Sequence, residues 1–246
     1  MVNDPAAHLA LVVPLAAGAF MLAAFAQVVT GFGSALVAVP LLALLLGPRP
    51  AVVVATTVSL LLTAIMWRRE SGHVDLPAVA RVSVSGVLAM PLGLLLLLGL
   101  NGQMLMALMG VLVLGVVPLL ARGMRTPVGP GAQWGAGALS GLLLTSTGMN
   151  GPPLILVLRD RDPRSFRATL QAAFCCQDVV AVSAFVLLGR FTGPVAVGVA
   201  AGVVGLPLGT AVGEAVFRRI RPQRFWTLVL CGLVVTGIAA LVGAMP

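Results

Sequence analysis

Long apolar runs recur from one end of this sequence to the other, and they limit what the chain can fold into. A helix that crosses a bilayer needs about 20 mostly apolar residues. Only 9% of the 246 residues are charged, whereas an ordinary soluble domain is about a quarter charged. The runs do not alternate between apolar and polar residues, as the strands of a membrane β-barrel would. We therefore predict an all-α, polytopic membrane protein without a separate soluble domain.

The formal net charge of +8 does not indicate a nucleic-acid-binding protein, because the arginines lie in short loops between apolar runs. The three cysteines, Cys175, Cys176 and Cys231, all lie within apolar segments. They lack the spacing of a zinc site, so we expect them to be small buried core residues. We predict no metal site and no cofactor.

Two glycine-rich breaks interrupt the apolar runs. The first is Thr30-Gly31-Phe32-Gly33-Ser34, and the second is Thr147-Gly148-Met149-Asn150-Gly151, which two prolines follow. Glycine frees the backbone from helical geometry, and in hydrocarbon an unwound backbone is tolerated only where protein buries it or where it lines a wet cavity. Each break is therefore either a packing device or a binding site. Gly205, Gly209 and Gly213 are spaced by four, which predicts a small-residue packing face instead.

The apolar runs predict six full spans and two helical hairpins that contain the breaks. The short arm after the first break would be about 16 Å long at 1.5 Å per residue, too short to cross a bilayer alone. If residues 9–30 cross completely, an architecture of eight or nine spans results. The predicted helices cover 9–30, 36–46, 51–67, 78–98, 103–121, 134–147, 154–158, 166–188, 194–217 and 225–243.

The two halves of the sequence repeat each other. Residues 86–93 match residues 202–209 at an offset of 116, and Thr30-Gly31 matches Thr147-Gly148 at an offset of 117. Two motifs whose offsets differ by only one residue indicate a duplicated unit. We predict that residues 1–121 form the first repeat, 122–133 a cytoplasmic linker and 134–246 the second repeat, all in one membrane domain.

The placement of arginine predicts the orientation of these repeats. Thirteen of the 15 basic residues lie in or beside residues 68–81, 122–125, 159–167 and 218–224. Short loops rich in arginine face the cytoplasm. The first hairpin then enters from outside and the second from inside, so the two repeats are inverted, each a broken-helix hairpin followed by three transmembrane helices. Inverted repeats with broken helices at mid-membrane are typical of secondary transporters.

The pattern G-F-G-S-x(5)-P over residues 31–40, with its partner G-M-N-G-P-P over 148–153, resembles the TauE/SafE family of membrane transporters. The resemblance covers nearly the whole chain, including its internal repeat. It implies export or uptake of small sulfur-containing anions, such as sulfite, and of organosulfonates. The motifs are glycine-rich and apolar, so they indicate the family better than the substrate.

The residues at the breaks also point to an anion. Free N–H groups and a helix N-terminus at each break would bind an anion through hydrogen bonds and the helix dipole. Hydroxyl and amide side chains beside them would add donors, without a full positive charge in the bilayer. The predicted substrate-binding residues are Thr30, Gly31, Gly33, Ser34, Thr147, Gly148, Asn150 and Gly151.

Several polar residues in the spans are candidates for coupling or for the transport path. Asp178 is the one acid well inside an apolar helix, where an acid is costly and usually functional. It would carry a proton, or else it is satisfied by neighbouring donors. The glutamines line the path or only bridge helices, and Arg167 draws anions inward or only sets topology. Thr57 belongs to a polar stripe on the third helix. The predicted residues are Asp178, Gln177, Gln171, Gln27, Thr57 and Arg167.

We predict a secondary transporter that moves a small anion by alternating access, with proton coupling as an option. The alternatives are a passive anion channel and a non-transporting membrane subunit. An enzyme is not expected, because no base or ligand cluster lies at membrane depth. The expected partners are a small anionic substrate and the lipid bilayer, not nucleic acid, and a homodimer is left open. The expected location is a bacterial inner (plasma) membrane, with the major Arg-rich loops in the cytoplasm.

Overall fold

The computed structural model of the protein describes residues 5–30, 32–122, 129–158, 161–217, 231, 234–235 and 237–245. These residues are almost entirely helical and include no strand, which confirms the predicted all-α class. A short 3-10 turn follows the third helix. The helices are α1 (Pro5–Thr30), α2 (Ser34–Leu46), α3 (Pro48–Glu70), α4 (Leu76–Gly99), α5 (Gly102–Arg122), α6 (Pro130–Thr147), α7 (Gly151–Leu158), α8 (Pro163–Leu187) and α9 (Gly193–Phe217).

Four helices in the described ranges are long and apolar enough to cross a membrane. They correspond to four of the six predicted full spans and confirm a polytopic membrane protein. The fifth, α5, has a shorter described apolar part, Gly102–Gly115, and the sixth, predicted over residues 225–243, is described only in part. With 26 residues, α1 is about 39 Å long, enough to cross the hydrocarbon core. The four spans are Pro48–Arg69, Leu76–Gly99, Arg164–Leu187 and Gly193–Gly213.

Both predicted breaks are present. Residues 31–33 separate α1 from α2, and residues 148–150 separate α6 from α7. Gly33 and Gly148 have φ angles of +97° and +76°, in the left-handed region that only glycine adopts at little cost. The arms that follow, α2 and α7, have 13 and 8 residues and are too short to cross a bilayer alone.

Close contacts at glycine join helices from opposite halves of the chain. The most extensive packing in the described structure is that of α4 against α6 and of α1 against α9. A methyl group on Gly141 of α6 would overlap the backbone of Gly86 in α4. Methyl groups on Gly205 and Gly209 would overlap backbone carbonyls of α1, and Gly213 packs against the same helix. The predicted small-residue packing face of α9 is therefore confirmed.

These two helix pairs are reciprocal. Helix α4 belongs to the first predicted repeat and packs on α6, which begins the second repeat. Helix α9 belongs to the second and packs on α1, which begins the first. Two copies of one unit related by a twofold axis would pack in this way, which supports the duplication. The duplication itself and the inverted orientation of the two units stay predictions.

Two charged loops meet at one end of the bundle. Asp75, which precedes α4, forms an ion pair with Arg161, which precedes α8, and the Nη2–Oδ2 distance is 2.6 Å. The Nε of Arg161 donates to the same oxygen at 3.1 Å. The backbone N–H of Asp75 donates to Oγ1 of Thr169 in α8. The two loops, both predicted to be cytoplasmic, therefore lie at the same end of the molecule.

The prediction that all three cysteines are buried is wrong for two of them. Cys175 is buried, whereas Cys176 and Cys231 are exposed, and all three thiols are free. One residue along a helix turns a side chain by about 100°, which moves Cys176 onto the face of α8 that carries exposed Val179 and Val180. On a membrane span this apolar face is open to lipid, where a small thiol is tolerated as it is in a core.

Candidate functional site

The two breaks line a single cavity about halfway along α3. Gly33 and Ser34 come from the first break, and Met149, Asn150 and Gly151 come from the second. Segments that are far apart in the sequence are thus brought together around one polar hollow. The other lining residues are Gln27, Ala35, Leu36, Ser59 and Phe174.

This cavity is small, and its polar side chains are buried. Its volume is only about 10 Å³, roughly the space that one water molecule needs. Ser34 and Asn150 in its wall are 7% and 6% exposed. A ligand larger than water can enter only if the surrounding helices move apart.

The N-terminal turn of α2 supplies backbone donors at the first break. Gly33, Ser34, Ala35 and Leu36 line the cavity. The first N–H groups of a helix have no partner within that helix, and they carry the positive end of its dipole. Gly33 has no side chain to cover them, and the Ser34 hydroxyl adds a donor beside them. This end of α2 therefore has the chemistry of an anion-binding site.

The second break offers fewer backbone donors than predicted. Helix α7 begins at Gly151, and Pro152 and Pro153, which follow, lack the N–H group. The Asn150 side chain supplies an amide at the same place. The two breaks match in sequence, but the first contributes mainly backbone donors and the second mainly a side-chain donor.

Asp178 lies fully buried beside the second break. The side-chain amide of Asn150 donates to its Oδ1 at 3.4 Å, and the Ser59 and Thr63 hydroxyls of α3 lie close to the carboxyl group. In the described structure, Oδ2 is buried without a hydrogen bond of ordinary geometry. Such atoms are rare, and an acid at membrane depth is costly. This oxygen is therefore a place where a proton would be stabilising.

The three predicted glutamines bridge helices. Nε2 of Gln27 donates to Oε1 of Gln171 at 3.2 Å, which joins α1 to α8, and Gln27 also lines the cavity. Gln177 accepts from Oγ of Ser140 at 2.9 Å and donates to a carbonyl of α4 at 3.0 Å. The same Ser140 oxygen lies 2.9 Å from the carbonyl oxygen of Asn150. This network ties α8 to α4 and α6 and holds the second break in place.

Other predicted residues are not in the cavity wall. Thr147 donates to a carbonyl of its own helix at 2.8 Å, and Gly148 packs against side chains of α2 and α3. Thr57 is half-buried and donates to a carbonyl of α3 at 2.7 Å. Arg167 is half-buried near the start of α8. Gly31 and the side chain of Thr30 lie outside the described residues.

The cavity wall also contains Ser59 and Phe174, which the sequence pattern did not indicate. Ser59 lies four residues before Thr63, so both side chains share the face of α3 that approaches Asp178. Thr57, two residues before Ser59, lies on a different face. Phe174 lies four residues before Asp178 and so shares its face of α8. Helical periodicity, applied to the polar stripe of α3, would have favoured Ser59 over Thr57.

Comparisons with known proteins identify the family. Residues 16–240 match the sequence pattern of the family described as Sulfite exporter TauE/SafE. Comparisons with curated proteins and with solved structures gave no match. The matched segment includes both breaks and nearly all of the described helices. The chain therefore belongs to the sulfite exporter TauE/SafE family, whose members are membrane transporters and not enzymes.

Proposed function

We propose that this protein is a secondary transporter that moves a small sulfur oxyanion or organosulfonate by alternating access. The observation that carries the proposal is that both helix breaks line one buried polar cavity. Unwound backbone is costly in a membrane unless it is used. Two breaks that converge on one hollow are the arrangement in which the substrate of such a transporter is bound.

The donors at the cavity suit a small anion. Backbone N–H groups at the N-terminus of α2, the Ser34 hydroxyl and the Asn150 amide would bind its oxygens through hydrogen bonds. None of the described residues that line the cavity is an arginine, so a bound anion would be held by partial charges and could leave again. Gly151, which lines the cavity, would also bind the substrate. A substrate-binding role rests on the sequence pattern alone for Thr30, Gly31, Thr147 and Gly148.

The size of the cavity favours a carrier over a passive channel. The cavity volume is only about 10 Å³, which is too small for sulfite with its four non-hydrogen atoms. A substrate would therefore occupy the site only after the helices separate on one side. A passive channel would instead need a continuous path through the closed region.

Asp178 is the proposed proton carrier. Its carboxyl group is fully buried, and protonation would remove a charge that is costly at this depth. Asn150 contacts both the cavity and Asp178, so binding of an anion and of a proton would be linked. Gln27, Gln171 and Gln177 would hold the helices around this pair, and Arg167 would attract anions near the start of α8.

We also propose a bacterial inner membrane location with the Arg-rich loops in the cytoplasm. The contact between Asp75 and Arg161 supports a common side for two of these loops. The positive-inside rule then assigns that side to the cytoplasm. Labelling of single cysteines placed in the two loops, from either side of intact cells, would test this orientation.

Flux into proteoliposomes tests the proposed function. The purified protein should move sulfite and methanesulfonate faster than protein-free vesicles do, and a pH gradient should drive accumulation. A non-transporting subunit would give no flux. A passive channel would let methanesulfonate, which does not titrate near neutral pH, equilibrate but would not accumulate it under a pH gradient at zero membrane potential. Either of these results would contradict the proposal.

A further inference from the structure

A second cavity lies at the end of the bundle opposite the Asp75–Arg161 pair. Its volume is about 210 Å³, and it lies between the start of α3, the end of α4 and the α8–α9 turn. Arg49 lies at the start of α3, and the loop that contains Asp75 follows the far end of this helix. Because α3 has 23 residues, its two ends are about 35 Å apart. Ser59 in the central cavity lies ten residues after Arg49, about 15 Å away along α3. The two cavities share no residue.

Arg49 is held in place by the end of α4. Its Nε donates to the Leu97 carbonyl at 3.1 Å, and its Nη2 donates to the carbonyls of Leu98 and Leu100 at 3.2 and 2.9 Å. These bonds satisfy carbonyl groups that have no partner at a helix C-terminus. In the described structure, the Nη1 group of Arg49 donates none of these three hydrogen bonds. The guanidinium is thus fixed in position and keeps two N–H groups for a ligand.

Arg190 brings a second positive charge to the same cavity. It lies in the turn between α8 and α9, and its side chain is exposed. The described structure shows a backbone hydrogen bond for Arg190 but none from its guanidinium. Among the described residues, no acidic side chain lines the cavity. Two arginines therefore line this cavity, and the described part of its wall carries no compensating negative charge.

The rest of the wall is mostly apolar. Val53, Leu97 and Val195 contribute to it, and the Thr192 hydroxyl is a further donor. Guanidinium groups bind sulfonate, phosphate and carboxylate oxygens with good geometry, and apolar walls favour a hydrocarbon chain. A ligand that satisfies both parts has an anionic head and a short apolar tail.

We infer that this cavity is a binding site for an amphiphilic anion, distinct from the proposed substrate site. The head would bind to Arg49 and Arg190, and the tail would lie against the apolar wall. The same chemistry is found in a soluble alkanesulfonate and in an anionic phospholipid. The inference does not depend on the transport activity proposed above, because it rests on a different set of residues.

Binding of hexanesulfonate to the purified protein, in nanodiscs of phosphatidylcholine, tests the inference. Hexanesulfonate should bind more tightly than methanesulfonate, by up to roughly fourfold for each methylene that becomes buried. Arg190→Gln should weaken its binding by roughly three- to fivefold, as expected for an exposed ion pair. Arg164→Gln, which removes an exposed arginine at the other end, should leave the affinity unchanged.

Asn150→Leu separates this site from the central one, because Asn150 lines only the central cavity. Hexanesulfonate binding that persists in Asn150→Leu and weakens in Arg190→Gln supports the inference. Unchanged affinity in Arg190→Gln, with its folding verified by thermal unfolding, would overturn it. Equal affinities for hexanesulfonate and methanesulfonate would overturn it as well, because a plain surface charge does not sense chain length.

Nanodiscs that contain phosphatidylglycerol distinguish the two sources of the anion. If a lipid occupies the cavity, phosphatidylglycerol will weaken hexanesulfonate binding to the wild-type protein, and Arg190→Gln will reduce this competition. If a soluble anion is the ligand, the affinity will be the same in both lipids. Both results support an amphiphilic-anion site, and they differ in its occupant.

Discussion

The side-chain amide of Asn150 donates a hydrogen bond to Oδ1 of Asp178 over 3.4 Å. Asn150 lines the central cavity, and Asp178 is fully buried beside it. A ligand that reorients the Asn150 amide would change the surroundings of the carboxyl group at once. This contact would therefore link the proposed anion in the cavity to the proposed proton on Asp178.

The first prediction concerns Asp178→Asn. The substitution preserves the size of the side chain and removes its ability to exchange a proton. We expect anion exchange to continue, while accumulation driven by a pH gradient is lost. The measurement is sulfite uptake into proteoliposomes with and without the gradient.

Asp162→Asn is the matched control for this change. Asp162 is exposed and accepts from the N–H groups of Arg164 and Ser165 at the start of α8, and Asn caps a helix about as well as Asp does. This variant should retain gradient-driven uptake. If Asp178→Asn also retained it at the wild-type level, Asp178 would have no part in coupling.

The second prediction concerns the Ser34 hydroxyl in the cavity wall. Ser34→Ala removes one proposed donor to the anion, and a single hydrogen bond is worth about 0.5–1.5 kcal/mol. We expect the apparent affinity for sulfite to fall by roughly two- to tenfold. Concentration-dependent flux, or protection against thermal unfolding by sulfite, measures it.

Thr57→Ala is the comparison for Ser34→Ala. Thr57 is half-buried and bonds to a carbonyl of its own helix, so its loss should leave the affinity for sulfite near the wild-type value. If Thr57→Ala weakened sulfite binding while Ser34→Ala did not, the substrate would not occupy the cavity between the breaks.

Much of this fold could be predicted because the constraints on it are local. Apolar length sets the spans, and glycines that lie next to hydroxyl or amide residues favour interruptions, so both breaks were visible in the sequence. The start of α2 at Ser34, two residues before its predicted start, depends on Gly33, whose left-handed conformation lets the helix begin at once. These features follow from residues close together in the chain.

The site could be predicted only in part, because its wall depends on how helices pack. Asn150 and Asp178 stood out in apolar sequence, but nothing local shows that they touch. Thr57 and Ser59 both carry hydroxyl groups. Helical periodicity places Ser59 on the same face as Thr63, but only the packing of α3 against α8 brings that face to Asp178. The sequence match between the breaks also concealed that Pro152 removes a donor that α2 retains.

The third prediction concerns the crossing of α4 and α6. A methyl group on Gly141 would overlap the backbone of Gly86, and backbone cannot move aside as a side chain can. Gly141→Ala should therefore destabilise the protein by about 1–3 kcal/mol, or prevent folding. Thermal unfolding in detergent and the yield of monodisperse protein measure the effect.

Gly135→Ala lies on the same helix and provides the control. In the described structure, no atom beyond the neighbouring residues and backbone of its own helix lies within 4 Å of the position that its methyl group would take, and Ala favours a helix by up to about 1 kcal/mol over Gly. This variant should be as stable as the wild type or slightly more so. Equal stability of the two alanine variants would mean that α4 and α6 do not approach each other at Gly141.

The fourth prediction follows from the charge state of Asp75. Partial burial raises the pKa of Asp75, but hydrogen bonds from Arg161 and Ala78 outweigh it, and the pKa lies below the ordinary value of 3.8. The folded protein therefore binds fewer protons at this group than the unfolded chain does. The ion pair contributes its full stability above about pH 4, and the contribution disappears as the pH falls through the folded pKa.

Asp75→Asn tests this dependence because Asn can still accept the Ala78 N–H that caps α4 while it loses the charge that faces Arg161. The side chains of Asp75 and Arg161 are 31% and 17% exposed, so solvent weakens their ion pair. We therefore expect the free energy of unfolding of the variant to fall by no more than about 1 kcal/mol at pH 7. The loss should shrink as the pH falls below 4, because the wild-type carboxyl group then becomes neutral as well. Thermal unfolding of both proteins in detergent at pH 7, 5 and 3.5 measures the difference. A difference that stayed constant down to the lowest pH would show that the cap or the packing of this loop, and not the ion pair, accounts for the stability.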